Sequence, residues 1–404
     1  MSVFTANAAS RPQPRLPILI AISMLAPLGL NIIQPSMPTI SKTFAVPYAD
    51  VALLISLYLA AMAIFQVILG PLSDKFGRRP IVLIGFSASA CASFVCVIAP
   101  NMETLMLARI VQAIGGCTGI VLARAIVRDV FDTRHSASML GYVTMGMAVA
   151  PMLAPLIGGI LDDIFGWQAI FVFHACLALV LLVWAYFALG ETAPLSTNRT
   201  AGVILREFFH LMQMPAFWIF AFVVALSNGV YFSFLGAIPL ISEELLKLSS
   251  TEFGAYFMTA ALGYILGNFL SGRFANQMGL LWMMTQGTLV LLLSGALQVG
   301  IYLLFGLSVW GIFVPLVLVG VANGVTTPSA LAGAVSVRPD LAGSAAGLAG
   351  SLQIGTGAIA AYVASVFVTL QGNDNPDAWP MLMQMFLLSI GGTIAVILAR
   401  RVNP

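Results

Sequence analysis

Apolar residues in this chain come in blocks of about 20 separated by short polar breaks, and no feature constrains its folding more. A helix rises 1.5 Å per residue, so about 20 residues cross the roughly 30 Å of hydrocarbon in a bilayer. Twelve such blocks lie at roughly 16–38, 50–72, 80–99, 104–127, 137–161 and 167–189, and again at 215–240, 252–275, 280–303, 309–330, 342–370 and 379–399. The expected architecture is all-α and membrane-integral, with twelve transmembrane helices in two six-helix bundles. The N-terminal bundle covers residues 1–195, a cytoplasmic linker 196–214, and the C-terminal bundle 215–404. Within the linker, 201–213 spaces its apolar residues as an interfacial helix does. Only 8% of the 404 residues are charged against 60% hydrophobic, so lipid and not water is the main solvent.

The cations fix an orientation. Arg11, Arg15, Lys75, Arg78, Arg79, Arg128, Arg134, Arg199, Arg206, Arg273, Arg338, Arg400 and Arg401 fall on one side of the spans, and Lys42 and Lys247 on the other. Short cytoplasmic loops are enriched in Lys and Arg, which places both termini and the linker in the cytoplasm. The outer loops are expected to hold Asp162, Asp163, Glu243, Glu244, Asp374 and Asp377. No basic cluster suits nucleic acid at a net charge of +2. Isolated His and Cys offer no spacing for a metal, a haem or a nucleophile with its base, which argues against an intramembrane enzyme or receptor.

The loop between the second and third blocks reads GPLSDKFGRR, from Gly70 to Arg79. It resembles the signature loop of the major facilitator superfamily. Asp74 sits at the carbonyl end of its helix, where a carboxylate is disfavoured unless paired. The resemblance supplies the partners: Arg78 and, in the outward-open state, the start of helix eleven near residues 340–344. It implies a cytoplasmic gate formed by Gly70, Asp74, Gly77, Arg78 and Arg79. In the fourth block, ARIVQAIGG resembles the Arg and Gln motif of proton-coupled members. Gly141, Ala150, Ala154, Pro155, Gly158 and Gly159 in the fifth resemble the antiporter signature of twelve-helix drug exporters, with alanine at two positions where glycine is usual. LARAIVRD (122–129), GWQAIF (166–171) and GET (190–192) resemble the bicyclomycin-resistance (Bcr/CflA) branch.

Arg109 is the one Arg or Lys placed well inside the membrane, where an ionised group is costly enough to signal function. It is the expected centre of the substrate and coupling site, with Gln112 one turn along the same face. Asn31, Gln34, Tyr58, Asn228 and Tyr231 are polar or aromatic groups able to face the cavity, alongside Gln66, Asn323 and Gln353. Related exporters usually carry an aspartate in the first span, and here Asn31 stands at that point. His174 is the remaining embedded group that titrates near neutrality.

The resemblance implies alternating access and export of a small amphipathic drug or metabolite by proton antiport across a bacterial inner membrane. No cofactor is expected beyond the proton gradient, and the expected partners are the bilayer, protons and the substrate, carried by a monomer. With Arg109 and no span-one acid, neutral or anionic solutes are favoured over cations. An uptake symporter or an uncoupled facilitator on the same scaffold is the alternative.

Overall fold

The computed structural model describes residues 15–131, 133–192, 201–338, 341–369 and 377–402. Their helices are α1 (Leu16–Asn31), α2 (Met37–Phe44), α3 (Tyr48–Phe76), α4 (Arg78–Val97), α5 (Met102–Val130), α6 (Thr133–Phe165), α7 (Gln168–Ala188), α8 (Ala201–Met212), α9 (Pro215–Leu240), α10 (Ser250–Met278), α11 (Leu280–Phe305), α12 (Val309–Ser336), α13 (Ala342–Thr369) and α14 (Trp379–Val402). Twelve stretches among the described residues are long and apolar enough to cross a membrane, α1 and α2 together forming the first. Large apolar side chains face outward around them, Phe187 at 77% and Phe305 at 79% exposure. A patch of that extent in water would be an aggregation site; in lipid it is solvated.

The first span runs on to Phe44, past the expected end at 38, and it is broken. Pro35 and Pro38 lack N–H groups, so the α-helical ladder stops at Asn31 and a 3₁₀ turn at Gln34–Ser36 bridges to α2. Asn31 closes the last turn of α1, its Nδ2 donating to the Pro27 carbonyl at 2.7 Å, and Gln34 reaches back to it across the break. The seventh span also changes form: Pro239 ends the regular winding of α9, and a π-helical turn follows at Ile241–Leu245. Glu243 and Glu244 lie in that turn and not in a free loop. Asp162 and Asp163 likewise sit on α6, which continues to Phe165, and Asp162 is buried.

Helices α1 and α3–α7 pack mainly among themselves, as do α9–α14. Two lateral seams join the sets, α6 against α10 and α3 against α13. The amphipathic α8 covers most of the expected interfacial segment and touches α9 and α13.

Candidate functional site

Arg109 is fully buried inside the first set of helices. Its guanidinium lies 4.2 Å from the Tyr58 ring centre and 6.0 Å from that of Phe171. One nitrogen donates to the Gly29 carbonyl at 2.9 Å and to Gln112 Oε1 at 2.5 Å. Its Nε and Nη2 have no hydrogen-bond partner among the described groups. No carboxylate forms an ion pair with it there, so the charge is held by aromatic faces and by amide and backbone oxygens.

The guanidinium orients everything behind it. Arginine can only donate, so Gln112 must present Oε1 to it and turn Nε2 the other way. That Nε2 donates to Ser93 Oγ at 2.7 Å and to His174 Nδ1 at 3.2 Å. His174 Nδ1 is therefore an acceptor. Nε2 carries the proton and points at the Leu25 carbonyl, 3.4 Å away. The geometry fits a neutral imidazole acting as an end stop of the network. Tyr58 closes the other side, its hydroxyl donating to the Ala26 carbonyl at 3.2 Å.

Asn31 and Gln34 form a second group at the break in the first span. Gln34 Nε2 donates to Asn31 Oδ1 at 2.8 Å, and the Tyr231 hydroxyl of α9 donates to the same oxygen at 3.4 Å. Here the two helix sets meet through a substitutable polar contact. Asn228 lies elsewhere, bonding Thr327 Oγ1 at 3.0 Å within the second set. Gln66 reaches Ser351 across the α3–α13 seam at 3.0 Å.

At the arginine-rich end, Gly77 adopts φ +97 between α3 and α4, a conformation that favours glycine, and a Cβ there would lie 2.4 Å from Glu191 Oε2. Arg78 is buried; it pairs with Asp74 at 2.5 Å and with Asp129 at 3.0 Å, and it also bonds Ser73 and the Gly70 carbonyl. Glu191 accepts from the backbone N–H groups of Arg78 (2.8 Å) and Arg79 (3.3 Å), capping α4. Arg79 stacks over Tyr186 and donates to its carbonyl. Asp129 and Glu191 thus belong to this cluster. Sequence reasoning saw them only inside LARAIVRD and GET, because partners distant in sequence leave no local spacing signal. Of the region expected to meet Asp74, residue 340 lies outside the described residues, and Ser344 bonds Glu207.

The opposite end is sealed across the two sets. Lys42 pairs with Glu243 and, at 3.1 Å, with Glu244. Asp162 accepts from Ser250 at 2.8 Å and from Thr39 at 3.4 Å, and Asp163 accepts from the Thr251 N–H at 2.9 Å. Gly158 and Gly159 make the close approach possible. A Cβ on Gly158 would lie 2.0 Å from the Ile32 carbonyl oxygen, and one on Gly159 would lie 2.2 Å from that of Ser250. Ala150, Ala154 and Pro155 are buried beside them on α6, while Gly141 is near its start.

Arg124 corrects the expectation of a single membrane-level arginine, because it too lies within the α5 span. In the sequence it falls inside the fourth block, at 104–127, and stood out only as part of LARAIVRD. It is exposed, and its guanidinium lies 3.7 Å from Met147 Sδ on α6.

Residues 19–362 match the Major Facilitator Superfamily. Multidrug resistance protein D of Escherichia coli (strain K12) is 31% identical over 88% of this chain and 89% of its own. The bicyclomycin resistance protein homolog of Haemophilus influenzae is 29% identical over 84% and 85%. The chloramphenicol resistance protein of Pseudomonas aeruginosa is 28% identical over 80% and 75%. A bacterial homologue of the human lysosomal transporter Spinster, solved inward-facing and occupied, has the same fold at a TM-score of 0.73 and 18% identity, covering 96% of both chains.

Proposed function

The chain belongs to the major facilitator superfamily and is a membrane transporter, and we propose that it exports a small amphipathic drug or metabolite from the cytoplasm by alternating access coupled to proton antiport. In this reading the arginine-rich end is cytoplasmic and both termini lie on that side.

The carrying observation is the contrast between the two ends. At the outer end the helix sets are joined by Lys42–Glu243, Asp162–Ser250 and Asp163–Thr251, contacts that can be made and broken without unfolding either set. At the cytoplasmic end the described pairs of Arg78 stay inside the first set. Rocking the sets about their midplane contact at Asn31 and Tyr231 would open one end and close the other. The drug-resistance names of the relatives support export. Asp162 is the acid that such a motion would carry between burial and outer water, which fits it to the role vacated at Asn31.

A second reading, an uncoupled facilitator, draws on the lack of any described carboxylate in the Arg109–Gln112–His174 network. Purified protein in proteoliposomes separates the two. Uptake of chloramphenicol that rises several-fold with an imposed pH gradient supports antiport, and uptake indifferent to the gradient supports the facilitator. In cells overproducing the protein, lower accumulation of the drug supports export and higher accumulation overturns it.

A further inference from the structure

We infer that Arg124 is the binding point for an acidic group on the transported compound, a carboxylate or comparable organic anion attached to an apolar body. The inference rests on the reading of the chain as a transporter with its substrate between the two helix sets, and it names the substrate class that this space selects.

Arg124 lies about 9 Å from the end of α5, at 1.5 Å per residue, well inside the span. Three elements surround it. Its own helix carries it, Met147 of α6 touches it, and Tyr264 of α10, in the opposite set, is within electrostatic range. Tyr264 is in turn within range of Tyr231, the residue bonded to Asn31 at the midplane. A side chain so flanked faces the space between the sets and not the lipid. It is nevertheless exposed, so its guanidinium is open to what enters that space.

Arg78, Arg109 and Arg124 differ in what holds them. Arg78 is matched by Asp74 and Asp129, and Arg109 is sealed away from water against Tyr58. Arg124 has neither arrangement: no ion pair involves it among the described residues, and its described hydrogen-bond contact is a thioether sulfur. A guanidinium remains charged at any physiological pH and offers a planar fork that matches a carboxylate. Arg128, one turn nearer the cytoplasm and also exposed, adds positive potential along the entry path and draws anions inward. The rings of Tyr264 and Tyr231 and the deformable Met147 thioether suit the apolar remainder of such a compound.

The test compares chloramphenicol with chloramphenicol hemisuccinate, which share one aromatic body and differ by a carboxylate. Affinities for both are measured by titration calorimetry on the full-length purified protein. The expected wild-type ratio favours the hemisuccinate by about tenfold, as one charge-assisted contact does. Arg124→Gln brings that ratio close to one. Arg124→Lys keeps the charge without the fork and lowers the ratio part-way, and it serves if Arg124→Gln does not fold. A wild-type protein that shows no preference for the acid, including one that binds neither compound, overturns the inference. So does a ratio unchanged in either variant. The export reading fails on a different readout, the direction of drug accumulation in cells.

Discussion

A fully buried guanidinium with no carboxylate partner is expensive, and Arg109 is tolerated because Tyr58, Gln112 and the Gly29 carbonyl each offset part of the desolvation. Removing such a charge relieves that penalty while it opens a cavity, so the two effects oppose each other. Arg109→Ala is expected to abolish transport of chloramphenicol in proteoliposomes yet to change folding stability by less than about 2 kcal/mol. Full transport by the variant removes Arg109 from the mechanism. Tyr58 separates ring from hydroxyl. Tyr58→Phe loses one bond to Ala26 and costs about 1 kcal/mol, whereas Tyr58→Ala also uncovers the cation and costs more than about 3 kcal/mol, both read from thermal melting in detergent. The sequence made Arg109, Gln112 and Tyr58 visible as polar or aromatic groups in apolar runs. It could not show that they face the interior of one helix set, because a helix position that avoids lipid can point either into its own bundle or into the cavity. Arg124 drew notice in the sequence only as part of LARAIVRD, since a cation about two turns from the end of a span carries no local mark of whether it turns to its own bundle, to the other or to lipid.

At the scale of elements, adjacent glycines on α6 serve different masters. Gly158 meets the Ile32 backbone within its own helix set, and Gly159 meets Ser250 across the seam. Their substitutions therefore diverge. Gly158→Ala forces α1 and α6 apart and is expected to lower the melting temperature by several degrees. Gly159→Ala leaves each set intact and wedges the seam, so the distance between spin labels at the outer ends of α6 and α10 lengthens while the melting temperature holds. Equal stability loss in both variants would remove the distinction. The glycine pattern was legible in the sequence, as was the number of spans, because both follow from local composition. The break at Gln34–Ser36 and the π turn at Ile241–Leu245 were not. Membrane helices accommodate proline by a kink, a bulge or a full interruption, and the choice depends on which neighbour satisfies the freed backbone groups.

For the whole molecule, the question is how firmly the outer seal biases the two-state equilibrium. Lys42 is 61% exposed, and its partners Glu243 and Glu244 are 30% and 35% exposed, so solvent screens the pair to about 1 kcal/mol or less. Lys42→Ala then shifts the ratio of outer-closed to outer-open molecules by about fivefold at most, a change visible in the populations of the same label distances. Asp162 stands apart because it is buried and holds Ser250 and Thr39 together. Truncation to Ala would leave those hydroxyls without their acceptor and loosen the seal, which confounds any test of coupling. Asp162→Asn keeps an oxygen acceptor for Ser250 and Thr39 but is neutral and cannot take up a proton. If Asp162 both seals the gate and carries the coupled proton, this variant closes normally and exchanges chloramphenicol across the membrane, yet its transport no longer responds to an imposed pH gradient. Retention of the wild-type response would leave Asp162 as a seal alone and send the proton through another group. Loss of exchange along with coupling would mean that the carboxylate charge itself is needed for the outer end to reopen, since a neutral amide would hold the two sets closed.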